Sequence, residues 1–165
     1  IGYEDFKYSH ASIMYNALSE IPQLKQLVQV GIRDYAQSEW EMIQSSNHRI
    51  VTYFDRDLKR RQFEGEIWKQ TCDEIVSHLP QKVFISFDID GLDPKLCPNT
   101  GTPVQGGLET SQVNYLFRKV LASGRQLIGF DLNEIGVGGE NDCDANVGAR
   151  ELFKLCNLLI ASNTP

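Results

Sequence analysis

The chain is predicted to be an α/β protein, a three-layer αβα sandwich around a mainly parallel sheet, on three observations. Apolar, β-branched runs of strand length recur along its 165 residues. Segments with helical apolar spacing stand between them, and one run ends in a pair of carboxylates. Parallel strands need a long crossover, normally a right-handed one through a helix, so strand and helix patterns in alternation imply this architecture.

Leu27-Val28-Gln29-Val30-Gly31-Ile32-Arg33 and Ile50-Val51-Thr52-Tyr53-Phe54 have the β-branched and aromatic content of strands, as do 83–87 and 127–132. All four are apolar on both faces or nearly so, the pattern of strands covered on both sides. Trp68, Cys72, Ile75, Val76 and Leu79 share one helical face, and Pro80 ends that helix. Val113, Leu116, Phe117, Val120 and Leu121 repeat the spacing, with Thr110 as the expected N-cap and Gly124 as the stop. A last helix is predicted over 145–161, with Val147, Leu152, Leu155, Cys156 and Leu159 turned inward. No internal repeat or Pro- and Gly-rich linker divides the sequence, so residues 1–165 are taken as a single domain.

Composition narrows the function. The 22 acidic residues against 16 basic ones, a net charge of -6, argue against nucleic acid and anionic membrane as partners. Lys59-Arg60-Arg61 is the one basic run and is expected to be a solvated loop. Cys72, Cys97, Cys143 and Cys156 form no CxxC pair, which fits reduced thiols. No apolar run has the length of a membrane span and the start lacks a signal-peptide pattern, so a cytoplasmic location is expected. Because Ile1 rather than Met opens it, the chain is expected to be processed or part of something longer.

The chemistry concentrates in Phe84-Ile85-Ser86-Phe87-Asp88-Ile89-Asp90-Gly91-Leu92-Asp93-Pro94. Side chains two residues apart on a strand point the same way, so Asp88 and Asp90 converge. Two anions that close call for a cation, and carboxylate oxygens suit hard divalent metals. Asp93-Pro94 is also a turn signal, so a purely structural turn is the competing reading. Downstream, the prolines and glycines between Pro98 and Leu108 fix a loop that can present the Thr100 and Thr102 hydroxyls and bare amides to a ligand. Asp131 is expected either to support the site's side chains from behind or to be structural. Glu140, Asp142 and Asp144 fit a solvated helix N-terminus, and His48 and His78 are assigned to the surface.

These residues resemble a known family. Ser86-Phe87-Asp88-Ile89-Asp90-Gly91-Leu92-Asp93-Pro94, with Pro98, Thr100-Gly101-Thr102-Pro103 and Gly106-Gly107-Leu108, is similar to the signature of the ureohydrolases: arginase, agmatinase and formimidoylglutamase. Tyr8-Ser9-His10-Ala11-Ser12, Val30-Gly31-Ile32-Arg33-Asp34 and Gly129-Phe130-Asp131-Leu132-Asn133-Glu134 resemble three further segments of that family. The resemblance implies an arginase-like fold and hydrolysis of a linear C–N bond in a small guanidino or formimino substrate. It also implies two Mn2+ ions per active site, and assembly into homo-oligomers. It further implies that Asp88 bridges both metals and Asp90 ligates one. On the same basis His10 moves a proton, Glu134 holds the cationic amidine, and Thr102 joins Glu134 in contacting substrate.

The sequence departs from the family pattern in front of Tyr3. The Gly-Gly-Asp-His and Asp-Ala-His-x-Asp segments, which supply the other metal ligands, do not occur. The chain therefore resembles the carboxy-terminal portion of a ureohydrolase, incomplete on its amino-terminal side, and is expected by itself to bind metal weakly without turnover. Ala36 stands where a second acidic residue is expected of an arginase, which favours an agmatinase-like substrate. Arginase or formimidoylglutamase specificity stays open, with Lys59 to Arg61 as one source of cations for formimidoylglutamate. An inactive association module is a further alternative, and a phosphatase of the haloacid dehalogenase type, which also uses strand-Asp-x-Asp, is a remote one.

Overall fold

The computed structural model describes residues 6–136 and 141–164. Its order is α1 (Ile13–Glu20), β1 (Leu27–Ile32), α2 (Gln37–Ser45), β2 (Ile50–Phe54), α3 (Asp55–Phe63), α4 (Trp68–His78), β3 (Lys82–Asp88), α5 (Thr110–Ala122), β4 (Gln126–Asn133) and α6 (Cys143–Asn163). Short 3-10 turns occupy His10–Ser12 and Ile89–Gly91. The strands form two parallel pairs, β1 with β2 and β3 with β4. In the second pair Asp88 lies opposite Asn133, so both strands end at the same level. Beyond those ends, the first place in this fold class to look for a ligand site is the carboxyl side of the sheet.

Local chemistry accounts for the elements. Acidic Asp55 and Asp57 open α3 and basic Arg60 and Arg61 close it, matching the helix dipole. This corrects the solvated-loop expectation: the basic run is helical, with Arg61 paired to Glu66 and Glu74 and Arg60 to Asp57. Leu79, ahead of Pro80, is extended and ends α4. Glu109 rather than Thr110 is the N-cap of α5, and its N–H donates to Gln112 Oε1 at 2.9 Å. Gly124, at φ 76, supplies the left-handed residue that ends α5.

The core lies between the strands and α4, α5 and α6. Ile75, Val83, Ile85, Phe87, Val113, Leu116, Phe117 and Leu155 belong to it, and the Phe87 and Phe117 rings meet edge-on at 5.6 Å. Burying each such side chain contributes on the order of 1.5–3 kcal/mol. Two expectations about these elements need correction. β3 is not covered on both faces: Val83, Ile85 and Phe87 are buried while Lys82, Phe84 and Ser86 are exposed. Phe84 at 54 % and Ile128 at 57 % exposure leave one face of this pair open among the described residues. On α6 the inward stripe is Asp144, Gly148, Glu151 and Leu155, with Val147 and Leu159 partly buried, whereas Leu152 and Cys156 face outward. The polar members Asp144 and Glu151 take core-facing positions because each has a partner, Asn99 and Asn114 respectively.

Candidate functional site

β3 delivers Asp88 at its last residue, and the 3-10 turn that follows delivers Asp90 two residues later. The Asp90 N–H donates to Asp88 Oδ1 at 3.2 Å, which folds the turn back onto the strand end. The Thr102 hydroxyl donates to Asp90 Oδ2 at 3.1 Å. Among the described residues, no cationic side chain forms an ion pair with either carboxylate. Burial, then the charge of Asp90, and more weakly that of Glu134, push the Asp88 carboxyl up to about 7.

Glu134 is the first residue after β4 and adopts φ 58, a left-handed conformation that costs a non-glycine residue about 1 kcal/mol or more. Its turn packs against the loop carrying Thr102. A Cβ at Gly101 would stand 3.3 Å from Glu134 Oε2, and one at Gly136 would stand 2.1 Å from the Asn99 carbonyl. Asp88, Asp90, Thr102 and Glu134 therefore form one neighbourhood. The contacts just described do not include His10, which stands on the exposed turn at the head of α1. Thr100 is buried, so its hydroxyl does not face outward as expected.

Two side chains that brace this neighbourhood escaped the sequence reading. Arg33, one residue beyond β1, donates from Nη1 to the carbonyls of Gly31 and Gly91, each at 3.2 Å, and from Nη2 to the Asp90 carbonyl. Asp144, expected at a solvated helix end, is fully buried. Its Oδ1 accepts from the Asn99 backbone N–H at 3.2 Å and from Asn99 Nδ2 at 2.9 Å, tying the loop to α6. Nothing in the spacing separates Asp144 from the exposed Asp142 beside it, and Glu140 lies outside the described residues. Asp131 accepts from Ser86 Oγ at 2.7 Å and from Asn133 Nδ2 at 2.6 Å, tying β3 to the end of β4. His48 and His78 are exposed as expected, and the His78 ring lies 6.4 Å from that of Tyr53.

The loop behind the carboxylates is anchored by its own backbone. Leu108 N–H donates to the Gly91 carbonyl at 3.1 Å and Asp93 N–H to the Leu108 carbonyl at 3.0 Å, closing the loop at both ends. Gly107, at φ 95, permits this approach, since a Cβ there would sit 2.6 Å from the Leu92 backbone.

The sequence pattern of the Arginase family matches residues 2–150. The chain belongs to the arginase family. Over 134 residues it is 37% identical to N(1)-aminopropylagmatine ureohydrolase of Thermus thermophilus, covering 81% of this chain and 41% of that protein. It is 36% identical over 110 residues to mitochondrial arginase-2 of Rattus norvegicus, covering 66% of this chain and 30% of that protein. The solved proclavaminate amidino hydrolase of Streptomyces clavuligerus superposes with a TM-score of 0.79 at 22% identity, over 98% of this chain and 52% of that one, which shows the shared fold. The chain thus spans about half or less of the length of these arginase-family relatives. Membership accounts for the loop between Pro98 and Leu108 as well as for the paired aspartates, and it sets aside the phosphatase reading, which explained only the latter.

Asp88 and Asp90 fit a hard divalent ion as adjacent oxygen donors, because a cation would relieve the repulsion that raises the Asp88 carboxyl. Among the described residues, no group of three or more His, Cys, Asp or Glu could hold a metal ion. By themselves the two carboxylates are an incomplete donor set for a metal ion.

Proposed function

We propose that this chain carries the strand-end half of a manganese-dependent ureohydrolase site, with Asp88 and Asp90 as metal ligands and an agmatinase-like guanidino substrate. The observation that supports it best is the uncompensated carboxylate pair at the end of β3, with Thr102 hydrogen-bonded to Asp90 and Glu134 beside them. Paired manganese ions, when bound, supply an activated water and Lewis acidity. The chain's own residues do the rest. Glu134 offers an anion to the cationic amidine, and its turn keeps that carboxylate near the loop carrying Thr102. Thr102 orients Asp90 and meets substrate. His10 transfers a proton to the leaving amine.

Charge around the site favours a cationic substrate over a dicarboxylate. The cations once open for formimidoylglutamate are engaged: Lys59 lies 4.0 Å from Asp55, and Arg60 and Arg61 are paired along α3 and to α4. Arg33 is spent on carbonyls. Asp34 is exposed just beyond β1, with Ala36 rather than a second acid after it. The name of the Thermus relative, an aminopropylagmatine hydrolase, points the same way.

Full activity requires donors beyond Asp88 and Asp90. The chain by itself should show no Mn2+-dependent urea release from agmatine, arginine or 4-guanidinobutyrate. A polypeptide joining it to the two histidine-bearing family segments should release urea, preferring the guanidino amines, and lose that activity in Asp88→Asn. Undiminished turnover in Asp88→Asn would refute the assignment. The same reading expects homo-oligomers in the cytoplasm, which sedimentation and fractionation would check.

A further inference from the structure

We infer that Arg33 is a positioning residue that clamps the turn carrying Asp90 to the end of β1, and so sets where the Asp90 carboxylate stands. The inference rests on the metal-site reading of Asp88 and Asp90, but its geometry is separate from theirs. Arg33 reaches 57 residues along the sequence to the Asp90 carbonyl, and Nη1 bridges Gly31 of β1 to Gly91 of the turn. The Gly91 carbonyl accepts from both Arg33 Nη1 and Leu108 N–H, so one oxygen joins β1, the turn and the end of the loop. β1 and β3 belong to separate strand pairs with no ladder between them. The guanidinium therefore supplies a polar link between the pairs at the level of the site.

A planar fork suits this work. Its N–H groups diverge in fixed directions and satisfy several carbonyls at once, whereas an ammonium concentrates its donors at one point. The surroundings hold the fork still. A Cβ at Gly106 would lie 3.5 Å from Arg33 Cδ and 2.6 Å from Asp55 Oδ2, so the missing side chain at Gly106 leaves room for both. Asp55, the first residue of α3, is buried, and its Oδ1 and Arg33 Nε are buried polar atoms without a hydrogen-bond partner. With Asp90 held through its main chain by Arg33 and through its carboxylate by Thr102, the side chain has little freedom left.

The test uses the chain itself, by amide hydrogen exchange and by Mn2+ titration followed by electron paramagnetic resonance. Arg33→Met should speed exchange at Asp90, Leu92 and Asp93 at least tenfold while Ile128 and Phe130 in β4 stay within twofold, and should weaken Mn2+ binding about fivefold or more. Arg33→Lys keeps the charge but not the fork, and should recover less than half of either loss. Unchanged exchange at 90–93 in Arg33→Met, or equal loosening of β4, would overturn the clamp. So would full recovery by Lys, or Mn2+ affinity unaltered in a loosened turn. If the unaltered chain takes up no Mn2+, the metal reading fails instead, and the exchange pattern alone decides the clamp.

Discussion

The carboxyl ends of the two strand pairs are built on opposite electrostatic plans. At β1 and β2 the charges are matched or engaged: Arg33 is bonded to three carbonyls, Lys59 stands 4.0 Å from Asp55, and Tyr35, Trp40 and Phe54 pack their rings at 4.8–6.2 Å. At β3 and β4, Asp88 stands among the charges of Asp90 and Glu134, with no ion pair to any of the three among the described residues. Buried or crowded like charges are unfavourable unless function retains them. On the proposed function, the first end is scaffold and the second is the site it braces.

That contrast can be broken by mutation, starting where the effect is largest. Asp90→Asn should weaken Mn2+ binding at least tenfold in a direct titration, whereas Asp57→Asn, near the end of β2, should leave it unchanged; equal effects would erase the distinction. Gly107→Ala comes next, because its Cβ would meet the Leu92 backbone at 2.6 Å from a φ of 95. It should cost about 2–4 kcal/mol in denaturant melts. Gly65→Ala, with a similar φ but nothing within 4 Å, is the control, and should cost only about 1 kcal/mol. Asp144→Ala should lose about 2 kcal/mol by stranding the two Asn99 donors. At the small end, Lys69→Ala removes an exposed ion pair to Asp73 and should change stability by less than about 0.5 kcal/mol.

Acidity gives the same contrast a pH signature. The folded-state Asp88 carboxyl lies above its ordinary value of 3.8, at about 7, so the metal-free fold binds that proton more tightly than the unfolded chain does. Its contribution is fully present below pH 3.8 and is lost as pH rises through about 7. Between those limits the metal-free chain should melt at progressively lower temperature as pH rises, and Asp88→Asn should flatten the slope. Glu66, Asp73 and Asp93, held low by bonds to Arg61, Lys119 and the Lys95 amide respectively, act in the opposite sense only at more acid pH.

Much of the fold was legible because it rests on local chemistry. The strand runs and the stops at Pro80 and Gly124 were visible as patterns, and each strand boundary moved by only a residue or so. The open face of β3 was not, since Phe84 and Ile128 are as apolar as their buried neighbours and burial depends on what lies across from them. On α6 the apolar pattern misled, because outward Leu152 and inward Glu151 differ from expectation through a tertiary partner, Asn114. Within the site, Asp88 and Asp90 followed from strand periodicity. Arg33 and Asp144 did not, because a side chain bonding carbonyls or amides 57 or 45 residues away leaves no spacing to detect.

The most direct test of the account is a Mn2+ titration of the unaltered chain beside Asp88→Asn, with folding of both checked by circular dichroism. The account predicts weak but saturable binding by the chain, with bound Mn2+ releasing protons near neutral pH as Asp88 ionises, and at least a tenfold loss of affinity in the variant. Equal affinity of the two folded chains would contradict it.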